Sequence, residues 1–213
     1  MAVKPTLSAL DVMRDAPVIP VIVLHDVAHA VPLAQALVAG GIRMLEITLR
    51  TPQALACMQA IAAEVPVAVV GAGTVRNADD AKAAARAGAR FAVSPGYTPT
   101  VGQACRDEGL SLLPGVATGS EIMQAQEDGF HQLKFFPAMQ AGGLAMLKAW
   151  AGPFTDAVFC PTGGVTAQNA PEFLQLPNVV CVGGSWLAPN DVIARGDWAR
   201  ITELARQSVS LRA

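Results

Sequence analysis

Hydrophobic and polar positions along this chain alternate between two textures. Short, nearly continuous apolar runs recur at residues 18–24, 44–49, 67–73, 91–96, 111–116, 133–138, 157–164 and 179–184. Between them lie longer alanine-rich stretches with apolar residues at helical spacing, as at 28–41, 51–64, 77–89 and 98–109. Continuous apolar runs mark strands buried on both faces, as in a parallel sheet covered by helices. The good helix formers between them predict the covering helices. Gly40, Gly88, Gly109 and Gly129 read as helix stops. Asn77, ahead of Asp79 and Asp80, reads as a helix cap. Pro114 and Pro161 fall within apolar runs, where a central strand disfavours proline, so they are predicted at strand ends.

Eight strand–helix repeats over about 190 residues average about 24 residues each, which suits a short βα unit. The predicted architecture is an α/β fold, a compact (β/α)8 TIM barrel forming one domain over 1–213. A helix over 6–15 precedes the first strand and is expected to close the bottom of the barrel. An open doubly wound sheet is the competing architecture.

Composition narrows the function classes. With 15 Lys and Arg against 17 Asp and Glu, the formal charge of −2 offers no basic field for a nucleic-acid backbone. Aromatic residues make up 5%, too few to suggest a base-stacking surface. The longest uncharged stretch, 173–190, is broken by Pro177, Gly183, Gly184 and Pro189, so no membrane span is predicted. The first residues show no secretory pattern. Cys57, Cys105, Cys160 and Cys181 form no Cys-x-x-Cys pair and read as small core residues, which favours the reducing cytoplasm. His25, His29 and His131 gather no third ligand, so neither a metal nor another cofactor is expected.

In a barrel the chemistry sits at the C-terminal ends of the strands. Along residues 44–50, alternation sends Leu45, Ile47 and Leu49 toward the helices and Glu46, Thr48 and Arg50 toward the barrel axis. Lys134 interrupts a strand between Leu133 and Phe135, whereas Lys4, Lys82 and Lys148 lie in tail or helical segments. Lysines are almost never fully buried without a partner. A lysine amine freed of its proton attacks carbonyls to form a Schiff base; a purely structural pair with Glu46 is the alternative. The last two runs end in Gly163-Gly164 and Gly183-Gly184-Ser185, where barrels commonly bind phosphate through backbone N–H groups. Tight turns without a ligand are the other reading. Gly71 and Gly73 read as backbone making room for a small ligand, with Thr74 offering a hydroxyl and Ser94-Pro95-Gly96 supplying a further turn at the same rim.

These segments, Glu46 to Arg50, Gly71 to Thr74, Ser94 to Gly96, Lys134 to Ala138 and the two glycine pairs, resemble the class I 2-keto-3-deoxy-6-phosphogluconate (KDPG) and 4-hydroxy-2-oxoglutarate aldolase family. The resemblance runs in order from about residue 10 to 205. It implies a homotrimeric, cytoplasmic lyase of the Entner–Doudoroff pathway that cleaves the phosphorylated 2-keto acid KDPG to pyruvate and glyceraldehyde 3-phosphate. Cleavage of 4-hydroxy-2-oxoglutarate to pyruvate and glyoxylate goes with it. The galactonate epimer is the alternative substrate, and a non-covalent phosphate-binding barrel of isomerase or synthase type the alternative class. The resemblance makes Lys134 the Schiff-base lysine and Glu46 the general acid/base. Arg50 becomes the carboxylate clamp with Thr74 beside it, and Pro95 and Phe136 the apolar wall. Thr162 becomes the contact to substrate hydroxyls, and Gly163, Gly164, Gly184 and Ser185 the phosphate cradle.

Overall fold

The computed structural model describes residues 7–212. Position 6, the predicted start of the first helix, lies outside the described residues, as do Lys4 and the rest of residues 1–6. Helix α1 (Ala9–Arg14) opens on a capping box. The Ser8 hydroxyl accepts from the Asp11 backbone N–H at 3.1 Å, and the Asp11 carboxylate accepts from the Ser8 N–H at 3.0 Å. Eight parallel strand–helix units follow. Strands β1 (Val18–Ile22), β2 (Met44–Thr48), β3 (Val69–Gly73), β4 (Phe91–Val93) and β5 (Ser111–Leu113) alternate with helices α2 (Ala30–Ala39), α3 (Ala54–Glu64), α4 (Ala78–Arg86) and α5 (Pro99–Asp107). The fifth run breaks at Pro114 and resumes as β6 (Gly115–Val116) before α6 (Gly119–Glu127). Then come β7 (Gln132–Phe135), α7 (Gly143–Trp150), β8 (Val158–Pro161), α8 (Ala170–Leu174), β9 (Val182–Gly184), α9 (Asn190–Ala194) and α10 (Trp198–Val209).

Hydrogen bonding runs β5-β4-β3-β2-β1-β9 in one arc and β6-β7-β8 in the other. Continuity of the chain through Pro114 joins the arcs on one side. On the other, parallel bridges Phe159↔Val179 and Thr162↔Gly183 join β8 to the β9 segment. The sheet therefore closes on itself as the predicted barrel, and no open edge of a doubly wound sheet remains. Pro161 ends its strand as predicted. Pro114 instead divides one, because it has no N–H to give the ladder; its carbonyl still accepts from the Lys134 N–H at 2.8 Å.

Side chains sort by alternation. Val18, Ile22, Leu45, Ile47, Ala72, Ala92, Leu112, Leu133, Phe135 and Phe159 pack outward against the helices. Ile19, Met44, Phe91, Val93, Leu113, Cys160 and Cys181 point inward and form a second core with Val12 and Met13 of α1. Helix α1 thus plugs the lower end of the barrel, and the axis is filled rather than open. Each fully buried Val, Leu, Ile, Phe or Met among them contributes about 1.5–3 kcal/mol. All four cysteines are buried, as read from the sequence. No helix among the described residues is long and apolar enough to cross a membrane.

The helix stops are as predicted at Gly88, Gly109 and Gly129, each at positive φ. They differ at Gly40. The left-handed residue there is Gly41, at φ 95°, while Gly40 lets α2 meet α10: a Cβ on it would lie 2.3 Å from the Ala205 Cβ. Two adjacent glycines serve two needs, chain reversal and close helix packing.

Candidate active site

Strand β2 places Glu46 on the inward face, 3% exposed, and β7 places Lys134 there, 2% exposed. Their Nζ and Oε1 lie 3.8 Å apart. That separation is an ion pair but exceeds hydrogen-bond length, and Oε1 has no hydrogen-bond partner. Both groups therefore keep bonding capacity for a third group between them. Gly115 of β6 and Cys160 of β8 flank Lys134 in register. The Phe136 ring lies over Nζ, 4.9 Å from its centroid. One layer above, at the C-terminal ends of the strands, opens a cavity of about 140 Å³. Phe136 and Thr162 lie on it together with Val21 and Val165. Arg50, Gly163, Gly164, Gly183 and Ser185 supply its polar part and its backbone.

The inward alternation of the second strand is followed by Glu46 but not in the same sense by its two successors. Thr48 is fully buried and donates its hydroxyl to the Ile22 carbonyl at 2.8 Å, tying β2 to β1. Arg50 lies past the strand end, in the turn after Thr48, and is exposed at the rim. Its Nε donates to the Thr74 hydroxyl at 3.0 Å, which leaves both Nη groups available to a carboxylate in the cavity. Thr74 holds that place at φ 62°. For a β-branched residue this is a strained conformation, costing on the order of 1–3 kcal/mol. It follows directly on β3, and the Val75 N–H reaches back to the Val93 carbonyl, so neighbouring pairing supports it.

Gly71 and Gly73 make room, but for side chains of the protein. A Cβ on Gly71 would lie 2.1 Å from the buried Phe91 ring, and one on Gly73 2.3 Å from Glu46 Oε1. Spacing within one strand cannot reveal this, because the occupants come from β4 and β2. Of the glycines in the last two turns, three line the cavity as expected and Gly184 does not. Gly163 and Gly164, at φ 99° and 75°, line the cavity in a backbone conformation that L side chains rarely adopt. Of the second pair, Gly183 faces the cavity with Ser185, whereas a Cβ on Gly184 would strike Trp186 at 2.0 Å. Thr162 fits only because Gly183 has no side chain: its Oγ1 would lie 2.2 Å from a Cβ there. Val21 and Val165 carry no signal in the sequence that marks them as cavity residues, whereas Gly183, part of the expected glycine turn, points inward by alternation from the outward Val182. Pro95 does not line the cavity; its carbonyl packs against Gly115, the register neighbour of Lys134.

Among the described residues, no three His, Cys, Asp or Glu side chains converge in a way that could hold a metal ion. His29 lies edge-on to Trp198 at 5.8 Å, and His131 pairs with Asp156 at 3.1 Å. The sole tyrosine, Tyr97, donates to Asp128 at 2.5 Å. Burial, with that carboxylate beside it, holds its phenol well above the usual tyrosine range.

An arginine at the rim and the backbone of two glycine-containing turns line one cavity, and a buried amine with a carboxylate at ion-pair distance lies one layer beneath it. Such a set can bind a carboxylate at one end, attack a carbonyl in the middle and hold an anion at the other. Comparison with known proteins agrees. Residues 10–204 match the family model described as KDPG and KHG aldolase. The chain is 53% identical over 204 residues to the 2-dehydro-3-deoxy-phosphogluconate aldolase of Pseudoalteromonas atlantica, covering 96% of this chain and 95% of that one. It is 49% identical over 202 residues to the KHG/KDPG aldolase of Escherichia coli, covering 95% of each. Among solved structures, the KDPG aldolase of Legionella pneumophila, with pyruvate captured at low pH as a covalent carbinolamine, superposes with a TM-score of 0.93. That pair shares 46% identity over 95% of this chain and 98% of the other. The chain belongs to the KDPG and KHG aldolase family.

Proposed function

We propose that the chain is a class I aldolase that cleaves 2-dehydro-3-deoxy-6-phosphogluconate to pyruvate and D-glyceraldehyde 3-phosphate, and 4-hydroxy-2-oxoglutarate to pyruvate and glyoxylate. The observation that carries this reading is the buried Lys134 amine 3.8 Å from the Glu46 carboxylate, beneath a cavity whose rim holds Arg50. Transfer of a proton from the ammonium to Glu46 leaves a neutral amine. Its lone pair adds to the C2 carbonyl, and Glu46 returns the proton as the carbinolamine loses water to form the imine. Glu46 then takes the proton of the C4 hydroxyl. The C3–C4 electron pair moves into the iminium, releasing the aldehyde and leaving an enamine on Lys134. Protonation at C3 and hydrolysis give pyruvate and free lysine. Arg50 and Thr74 hold the C1 carboxylate, and Phe136 shields the imine from water, with Pro95 contributing from behind Gly115, the register neighbour of Lys134. Thr162 contacts the substrate hydroxyls. The backbone at Gly163, Gly164 and Gly184, with Ser185, takes the phosphate; the cavity position of Gly183 supports adding it to this set.

The test is reduction with borohydride in the presence of pyruvate, followed by peptide mass spectrometry. A pyruvyl adduct on Lys134 is expected. Its absence in folded protein would favour a phosphate-binding barrel without covalent chemistry. A substrate panel containing both the gluconate and galactonate epimers then assigns the aldehyde partner. The family resemblance also supports a homotrimer and a cytoplasmic location; light scattering at three times the monomer mass is the expected result.

A further inference from the structure

Gly73 is the last residue of β3, and its missing side chain would lie on the inward face. A Cβ built there would be 2.3 Å from Glu46 Oε1, 2.8 Å from its Cγ and 2.9 Å from its Cδ. The end of the Glu46 side chain fills the volume that any other residue at position 73 would need. Backbone conformation does not explain the glycine, since Gly73 is not among the residues at positive φ. Its place is fixed by register with Thr48 on one side and Val93 on the other. The recess below it is no refuge for the carboxylate, because the space opened by Gly71 holds the Phe91 ring.

We propose that Gly73 is a positioning residue for Glu46, supplying the recess that keeps the carboxylate within reach of Lys134. The proposal rests on the acid/base role given to Glu46 above. A methyl group at position 73 overlaps the movable end of a side chain, while strand β3 is held by ladders on both sides. The carboxylate therefore yields before the backbone does. Gly73→Ala is expected to fold, form the cavity and bind pyruvate, but with Glu46 displaced from the amine.

Four proteins test this: the parent, Gly73→Ala, Glu46→Ala and the double variant. The readouts are turnover of KDPG across pH, exchange of the pyruvate methyl protons for deuterium, competitive inhibition by pyruvate, and thermal melting. Gly73→Ala is expected to slow turnover and methyl exchange by about 100-fold or more, the scale of a general acid–base contribution. Pyruvate inhibition should stay within about threefold of the parent, because uniform binding is untouched. In the Glu46→Ala background the same change should cause no further loss, since the recess is then empty. Gly73→Ala within threefold of the parent, with Glu46→Ala slow, overturns the proposal alone. An equal loss in both backgrounds also overturns it, because Gly73 would then act other than through Glu46. Should Gly73→Ala fail to fold, the double variant must fold, its overlapping partner being gone; two unfolded proteins overturn the proposal. Glu46→Ala turning over like the parent overturns the acid/base reading, and the proposal with it.

Discussion

Replacing Lys134 by Met probes the buried pair and the covalent chemistry together. Nζ and Glu46 Oε1 are 3.8 Å apart, and each side chain is 3% exposed. Two unit charges at about that distance attract by about 4 kcal/mol at an effective dielectric of about 20. Removal of each ion from water costs several kcal/mol in return. The intact pair is therefore close to neutral for stability, while either half alone is not. Met keeps most of the lysine stem, so packing beside Phe136 and Cys160 survives. What remains is a buried carboxylate whose Oε1 has no hydrogen-bond partner and has lost its cation. Breaking such a pair costs about 3–5 kcal/mol. At about 2–4 °C per kcal/mol for a chain of this length, the thermal midpoint should fall by roughly 6–20 °C. A domain stable by about 5–15 kcal/mol still folds at room temperature. Adding Glu46→Gln removes the stranded charge and should restore most of the midpoint without restoring turnover. Melting by circular dichroism and pyruvate release coupled to NADH oxidation measure the two effects. A Lys134→Met midpoint within about 2 °C of the parent would refute the pairing, and retained turnover would refute the imine.

Three other changes follow from particular contacts. Gly71→Ala puts a Cβ 2.1 Å from the buried Phe91 ring; overpacking of this kind costs about 1–3 kcal/mol or more, read as a lower urea midpoint. An unchanged midpoint would mean that the ring has room to move. Thr74→Ala removes the acceptor of the Arg50 Nε bond at 3.0 Å. A bond worth about 0.5–1.5 kcal/mol should raise KM for 2-keto acids about 2- to 10-fold, with a smaller change in kcat; a KM equal to the parent's would count against this role. Tyr97 is the only tyrosine, so its ionisation is visible alone. Burial and Asp128 raise its folded pKa above the ordinary value of 10.0. The folded chain then holds a proton that the unfolded chain gives up. This contribution to stability is complete below pH 10 and fades as pH rises toward the folded pKa. Phenolate absorbance should appear only above pH 10 in native protein. Half-ionisation at pH 10 would mean that the Asp128 bond does not form in solution.

The barrel was legible because its strands are buried on both faces, so eight apolar runs stood out against alanine-rich helices. Lys134 and Glu46 were legible for a related reason: a charge inside such a run has only the barrel axis to face. Pattern stopped being informative where a residue's purpose is set by its neighbour on another strand. Pro114 reads as a strand end from its own chemistry, yet ladders on both sides carry the strand past it. Thr48 shares the parity of Glu46, but one residue pair higher it meets the Ile22 carbonyl and becomes a tie between strands. The glycines are the sharpest case. Gly71 and Gly73 are spaced like a ligand-binding turn, and each instead yields its volume to a side chain of an adjacent strand. In a parallel sheet a side chain leans along its strand and passes beside the backbone next to it. Glu46, opposite Gly71 in register, therefore reaches the level of Gly73. A glycine beside an inward charge, two positions further along in register, thus marks where that charge ends. The void beneath it at Gly71 holds only a ring that packs the core. Gly183 acts as Gly73 does but without the offset: directly opposite Thr162 in register, it leaves the room that the Thr162 hydroxyl fills. In this barrel, absent side chains on the inner face define where the polar groups of the site come to rest.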